Sequence, residues 1–472
     1  MEPIVIDKKI ALLFAAAVTA AALIAGLYFC RAASGTWTLA FYLDGSQNLL
    51  LKQQKNLREI VRGTGALKNC TVVVYFDRGP EPDVPIMPYS WKGARMFHVN
   101  GTYSETLSRP LTAGLPRSVE EQRFTGLLLK GLPEEMTRLF STYYSLTKGR
   151  YKLNTQKITP GHEQAMVAAL RESGYLDSGN GETADPASAE SMSRFFSMVR
   201  DNFPSRHYAF FITGHGQGWF SGTVRYTPSG KQIIRQNTPA FRVSDIVRGL
   251  EFNEPDILCL DLCLMADLES VYSLRHSASW LVLGQGPMPA GAQDYEALLH
   301  AVRENSPAEA ERMARTVFTS SARSLEESRL NGAVCLVKTG EELEAFYGSF
   351  SRIIADEKVR RKILDEEISL TRLPRWGALA DEMIDVRGLV DIINGHSVND
   401  SMNELPELNS FMHEFFSTSD RATGLSIYYP ADCASFKTIR DDYAALDFNR
   451  ATHGAWLELL DSRCGDDQFS SR

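Results

Sequence analysis

Apolar runs of strand length, each closed by turn residues, alternate along much of this chain with stretches of helical periodicity. Thr36–Leu43 (Thr-Trp-Thr-Leu-Ala-Phe-Tyr-Leu) is closed by Asp44-Gly45-Ser46, and Cys70–Phe76 is closed by Asp77-Arg78-Gly79. Short continuous apolar runs bounded this way predict strands buried on both faces. Asp44 is placed to cap a helix over Gln47–Arg62 between them. Strand, helix, strand at this spacing is a βαβ unit and calls for a parallel sheet. The alternation resumes with a helix over Ala187–Asn202, opened by Asp185-Pro186. There follow an apolar run over Tyr208–Thr213, a helix over Val243–Phe252, an apolar run over Ile257–Met265 and a helix over Asp267–Arg275. Trp280–Leu283 is a further strand, broken at Gly284-Gln285-Gly286.

Outside this frame the pattern changes. About residues 80–183 read as an insertion, with a strand at Met96–Val99 and a helix at Pro133–Leu146. Beyond about residue 300 the chain turns helical and charged, with helices near Pro307–Glu327, Glu341–Asp356 and Val386–Asn394, a late strand at Gly424–Pro430 and an amphipathic end at Tyr443–Leu460. The organisation expected is a segment 1–34, a main α/β domain 35–300 and a C-terminal helical region 301–472. The first segment carries Lys8-Lys9 and then a nearly unbroken apolar stretch, Ile10–Phe29. That length suits a bilayer span of about 20 residues better than a signal core of about 7–15. We read it as an uncleaved single-pass anchor, with the body of the protein outside the cytoplasm.

Composition narrows the function classes. A net charge of -8 over 472 residues, with no basic run, argues against a general nucleic-acid binder. Seven cysteines in a chain this long form no dense disulfide framework, and the odd number leaves at least one thiol unpaired. Cys259 and Cys335 lie inside apolar runs, where a thiol behaves as a small hydrophobe. Cys263 differs, following Asp261 at the end of its run.

Two strand tips carry the chemistry. In a parallel sheet, reactive groups collect beyond the carboxyl ends of the strands, and the chain puts His215 at one such end and Cys263 at another. A thiolate nucleophile needs an acid/base partner, which His215 can be, and donors for the developing oxyanion. The backbone N–H groups of Gly216 and Cys263 are placed for that. Asp261 shares a face with Cys263 if the strand runs on regularly, where it can receive a basic substrate side chain or orient its neighbours. Gly284, Gln285 and Gly286 would let an extended substrate pair as an added strand. Reading Cys263 and His215 as zinc ligands requires a third ligand, and no local spacing supplies one, so no metal site is expected. Trp219 is expected to pack a strand end, and His207 and His276 to be solvated.

These blocks resemble the clostripain-like (C11) cysteine peptidases. The likeness rests on Tyr42-Leu43-Asp44-Gly45 with Asn48-Leu49, on His215-Gly216-Gln217-Gly218-Trp219, and on Asp261-Leu262-Cys263-Leu264-Met265. Asp185-Pro186, the Asp385 region and Gly424–Pro430 fall in the same order. The resemblance implies an α/β, caspase-like sandwich with a mainly parallel central sheet flanked by helices, to which this chain adds a helix-rich C-terminal region and an N-terminal membrane helix. It implies a peptidase acting on protein or peptide substrates, with His215 and Cys263 as the catalytic dyad and Asp261 as an acid of the pocket for the residue before the cleaved bond (P1). It also implies a second pocket acid, absent from Gly286–Ala292 here, so a basic P1 preference is not expected to carry over. Self-cleavage in the loop Ser221–Asn237, at Arg225, Lys231 or Arg235, is implied as well. Calcium enters by resemblance alone; Asp44, Asp77 and Asp185 form no calcium loop by spacing. The alternative reading is a catalytically inactive, membrane-anchored binding protein that keeps the dyad beside a remodelled pocket.

Overall fold

The computed structural model describes residues 37–45, 49–64, 67, 69–77, 94–99, 185–220, 223–227, 230–234, 241–286, 288, 293–305, 307–328, 332–365, 370, 373, 375–376, 383–394, 410–418, 422–430 and 433–465. The N-terminal segment 1–34 and nearly all of the insertion lie outside them. Among the described residues no helix is long and apolar enough to cross a membrane.

Eight strands form one sheet: β1 (Trp37–Asp44), β2 (Cys70–Asp77), β3 (Ala94–Val99), β4 (His207–Thr213), β7 (Ile257–Asp261), β8 (Trp280–Gly284), β9 (Ala333–Lys338) and β12 (Met412–Ser417), in the order β12-β9-β8-β7-β4-β1-β2-β3. The five neighbours from β2 to β8 are parallel, as the alternation of elements requires. β3, β9 and β12 are joined by antiparallel pairing at the two edges. The boundary expected near residue 300 therefore falls between strands of a single sheet. β9 and β12 come from beyond it.

Helices cover both faces, and the period of two along each strand decides which side chain meets which layer. Leu39, Phe41 and Leu43 face a cluster with α1 (Leu50–Gly63), α5 (Tyr295–Asn305) and α6 (Ala310–Ser328). Ala40 and Tyr42 face the other cluster, with α2 (Ala189–Asn202), α3 (Val243–Leu250), α4 (Leu268–Leu274) and α7 (Glu341–Ala355). Here Tyr42 stacks on Tyr75 at 4.1 Å and its hydroxyl donates to the Pro186 carbonyl at 2.7 Å. The chain continues through α8 (Glu357–Asp365), a small sheet of β10 (Arg375–Trp376), β11 (Met383–Asp385) and β13 (Ser426–Tyr428), and α9 (Val386–Asn394). It closes with α10 (Cys433–Ala444), α11 (Asp447–Ala451) and α12 (Ala455–Gly465). A disulfide between Cys433 and Cys464 ties the start of α10 to the end of α12.

Two expected helix starts move. Asp44 is buried and does not cap α1, whose N-cap is Leu49 without a side-chain bond. The cap of α2 is Ser188, which accepts from the Ser191 N–H at 3.2 Å, while Asp185 holds the preceding turn through the Ala187 N–H at 2.9 Å. His207 is paired with Asp256 at 3.0 Å and stacked on Trp37 rather than solvated.

One buried carboxyl pair makes the fold sensitive to pH. Asp267 caps α4, accepting from the Ser270 N–H at 2.7 Å, and Glu269 accepts from the Tyr443 hydroxyl at 2.7 Å and the Tyr428 N–H at 3.0 Å. Burial pushes Asp267 up to about 6. Burial, with the neighbouring Asp267 charge adding to it, holds Glu269 well above the ordinary carboxylate range. A carboxyl raised on folding keeps its proton where the unfolded chain has lost it, so stability falls as pH climbs from the unfolded value, about 4. For Asp267 that fall extends to about 6. Glu269→Gln is expected to flatten the decline, read as thermal midpoint against pH; an unchanged slope contradicts the assignment.

Candidate active site

β4 and β7 are neighbours in register, Thr213 opposite Asp261, so the residues that follow them emerge side by side. His215 and Gly216 continue from β4. Leu262 bends the chain after β7, and Cys263 sits in a turn with Leu264 at φ 63°. The strand thus stops at Asp261 instead of running to Met265, and the condition that would put Asp261 and Cys263 on one face is not met. What joins the two tips is backbone contact. A Cβ built on Gly216 would lie 2.7 Å from the Cys263 carbonyl oxygen and 3.0 Å from its nitrogen, so only glycine fits there. The His215 carbonyl accepts from the Phe241 N–H at 3.0 Å, which fixes this tip from its other side. Gly218, at φ 65°, turns the chain past Asp267 and delivers Trp219 into the core against Tyr428 and Tyr443, as expected of a packing residue.

Charge and burial set the protonation of the pair. Cys263 is half-buried, and its Sγ accepts from the Met288 N–H at 3.3 Å and lies 3.7 Å from the Met288 carbonyl. Burial pushes the thiol up, partly opposed by that N–H and by the Lys52 ammonium and reinforced by Asp261. Burial first, then the Lys52 charge, pull His215 below the ordinary histidine value. Both groups are therefore neutral at rest near pH 7. Asp261 accepts from Thr213 Oγ1 at 3.1 Å and Tyr295 Oη at 3.3 Å and is ion-paired with Lys52.

The segment after β8 is committed to internal contacts. The Gly284 and Gly286 carbonyls accept from the Ala266 and Leu264 N–H groups, each at 3.0 Å, and the Gln285 N–H donates to Ala333 at 3.1 Å. The Met288 side chain fills the space above Gly284. Gln285 is fully buried: its amide donates to Asp385 at 2.9 Å and to the Leu425 carbonyl at 2.7 Å, and accepts from the Gly424 N–H at 2.7 Å. These placements anchor the cysteine turn to β9, to β11 and to Gly424 and Leu425 just before β13, in place of the free backbone expected for an added substrate strand. Gln285→Ala leaves three buried polar groups short of a partner and is expected to cost about 3 kcal/mol in denaturant unfolding. Unchanged stability with a raised KM would instead mark Gln285 as a substrate contact.

With this geometry in place, comparison with known proteins is informative. The model of the clostripain family matches residues 41–462. The chain belongs to the clostripain family of cysteine peptidases. Solved structures of this kind share its fold at low identity. One is a secreted C11 cysteine protease from Bacteroides thetaiotaomicron in complex with an irreversible peptide inhibitor (13% identity, TM-score 0.54, covering 90% of this chain and 100% of that one). Another is an inactive zymogen C11 protease from Parabacteroides distasonis (14% identity, TM-score 0.56, covering 89% and 98%). No curated protein matches the chain.

Against the clostripain-family expectations, three placements stand out. The stretch Ser221–Asn237 contains a hairpin of β5 (Thr223–Thr227) and β6 (Gly230–Ile234), with Arg225 opposite Gln232 and Lys231 opposite Tyr226; Arg235 lies outside the described residues. Asp44 and Asp77 are buried neighbours in register, and Asp185 is exposed. Among the described residues no three acidic, histidine or cysteine groups converge. Lys52 was not legible as a site residue. Its one sequence signal is a cation in the first turn of a helix that carries no acid there, against the helix dipole.

Proposed function

We propose that this chain is a cysteine endopeptidase in which Cys263 is the nucleophile and His215 the acid/base. The observation that carries the reading is the contact of Gly216 with the Cys263 backbone, which brings the two strand tips together. Starting from a neutral pair, His215 accepts the thiol proton as the sulfur attacks the peptide carbonyl carbon. The carbonyl π pair moves to oxygen, and the N–H groups of Gly216 and Cys263 receive the negative charge. Collapse expels the amine, which takes the proton from His215, and leaves a thioester on Cys263. Water, deprotonated by His215, then releases the acid and restores the thiol. The substrate carbonyl takes the place of the Met288 carbonyl near the sulfur.

A neutral resting pair has a signature in the pH profile. The acid limb of kcat/KM belongs to His215 and is expected below its ordinary value of about 6.5, and the alkaline limb to the thiol, above about 8.5. Cleavage of a peptide mixture, read by mass spectrometry across pH and lost on alkylation of the protein, tests both chemistry and protonation. An alkaline limb near 7 would mean a resting ion pair; absence of any cleavage would favour the inactive binding protein.

The apolar stretch Ile10–Phe29 behind Lys8 and Lys9 supports a membrane-tethered enzyme with its body outside the cytoplasm. The Cys433–Cys464 disulfide supports an oxidising compartment.

A further inference from the structure

Between α5 and α6 lies a cavity of about 370 Å³, and among the described residues its lining comes from these two helices and not from the strand tips. Ala297 and Ala301 of α5 leave the space open, and Thr316, Ser320 and Ser324 of α6, at steps of four, set a stripe of hydroxyls along one wall. All three hydroxyl residues are buried. Thr316 donates back to the Arg312 carbonyl at 2.8 Å, and Ser324 Oγ accepts from the Asp294 N–H at 3.1 Å. Ser320, only 8% exposed, has no hydrogen-bond partner for its Oγ. A buried hydroxyl in that state is costly and calls for a reason.

The charges around the cavity are also left open. Arg315 is ion-paired with Glu311 and Glu414, and Glu304 lies 3.7 Å from Arg303. Arg323 and Glu327 stand four apart on α6, a spacing at which opposite charges commonly meet. No ion pair joins them, and neither side chain has another partner among the described residues. Arg312 is equally free but about 16 Å back along the helix. A guanidinium, a carboxylate and an unmet hydroxyl thus open onto one enclosure of the size small-molecule sites have.

We propose that this cavity is a binding site for a small zwitterion, an amino acid or a short peptide with free ends. The ligand carboxylate lies on the Arg323 guanidinium and the Ser320 hydroxyl, and the ligand ammonium on Glu327. Three residues separate Ser320 from Arg323, about 4.5 Å along the axis. Helical side chains lean towards the N-terminus, so Arg323 reaches back over Ser320. A carboxylate can take a guanidinium on both oxygens and still accept from a hydroxyl. Glu327, one turn further on, receives the ammonium and disfavours a doubly charged anion such as phosphate. Binding there needs neither member of the dyad.

The test is calorimetric titration of the protein with L-alanine, dialanine, N-acetyl-dialanine, dialanine amide and inorganic phosphate. Alanine or dialanine is expected to bind saturably, and the tighter of the two shows whether the site is built for a free amino acid or a peptide. The acetyl and amide forms and phosphate are expected to bind about tenfold more weakly or worse, the loss of one 1.4 kcal/mol contact. Arg323→Gln is expected to weaken dialanine by a similar factor. Ser320→Ala should weaken it too, while the thermal midpoint of the free protein stays level or rises, because an unsatisfied buried hydroxyl has gone. A serine with only a structural role would leave the affinity unmoved. Glu327→Gln should erase the discrimination between dialanine and its acetyl form. Two controls should bind as wild type: Arg248→Gln, at an exposed arginine of α3 paired with Asp245, and Cys263→Ala. Absence of saturable binding by both alanine and dialanine overturns the proposal. So does equal binding of the blocked forms or of phosphate, or affinity that survives both Arg323→Gln and Ser320→Ala. Binding lost in Cys263→Ala overturns it as well, by moving the ligand to the dyad. No readout depends on peptide cleavage, so failure of this site and failure of the peptidase reading are told apart.

Discussion

Cys263→Ala is expected to lower kcat/KM on any cleaved peptide by about 10⁴-fold or more, as loss of a nucleophile does, with the thermal midpoint nearly unchanged. The two effects separate because the side chain is half-buried and its hydrogen-bond contacts are to the Met288 backbone. The other thiols are the controls. Cys335 is fully buried in β9 and pushed up to about 12 by burial. Cys259 is buried in β7 and raised further still, by burial and by Asp261. Alanine at either position is expected to keep turnover and lose about 1 kcal/mol of stability through lost packing. Steady-state kinetics and thermal unfolding on the three variants check the contrast. Turnover that survives Cys263→Ala removes the nucleophile from the account.

His215→Ala is expected to cost about 10²–10⁴-fold in kcat/KM, the usual range for a positioned acid/base. Because burial holds the Cys263 thiol protonated, loss of the base should also slow alkylation of Cys263 at pH 7. At high pH, where solvent removes the proton, the difference should shrink. The double variant should be no worse than Cys263→Ala, since residues acting as one unit are not additive. A further large loss in the double variant would mean that His215 works apart from the thiol. Rates of turnover and of alkylation, measured from pH 5 to about 10, read all three outcomes.

The parallel core was legible because βαβ alternation leaves so few arrangements: buried runs at Trp37, Cys70, Tyr208, Ile257 and Trp280 had to be neighbours in a sheet covered on both faces. The helices at Glu341 and Val386 were legible from periodicity alone. β12 was not read, because an edge strand with a bulge and an exposed Phe415 lacks the continuous apolar signature of the centre. Nor was the disulfide, since Cys433 and Cys464 meet only once α10 and α12 have packed. At the site, the two tips followed from strand ends plus glycines. Their surroundings did not. Lys52 and Tyr295 reach Asp261 from helices distant in sequence, and Gln285, flanked by glycines that suggest an open surface, is buried by contacts 100 and 140 residues away. Pairings of that kind are fixed by tertiary packing, and no local pattern records them.

The most direct measurement is covalent: treat the protein with a peptide carrying a thiol-reactive electrophile at its C-terminal end and map the adduct by mass spectrometry, with His215→Ala beside it. The account predicts one adduct, on Cys263, formed quickly by wild type, formed slowly by His215→Ala, and leaving Cys70, Cys259 and Cys335 unmodified. An adduct spread over the other cysteines, or one on Cys263 that forms equally fast without His215, would contradict it.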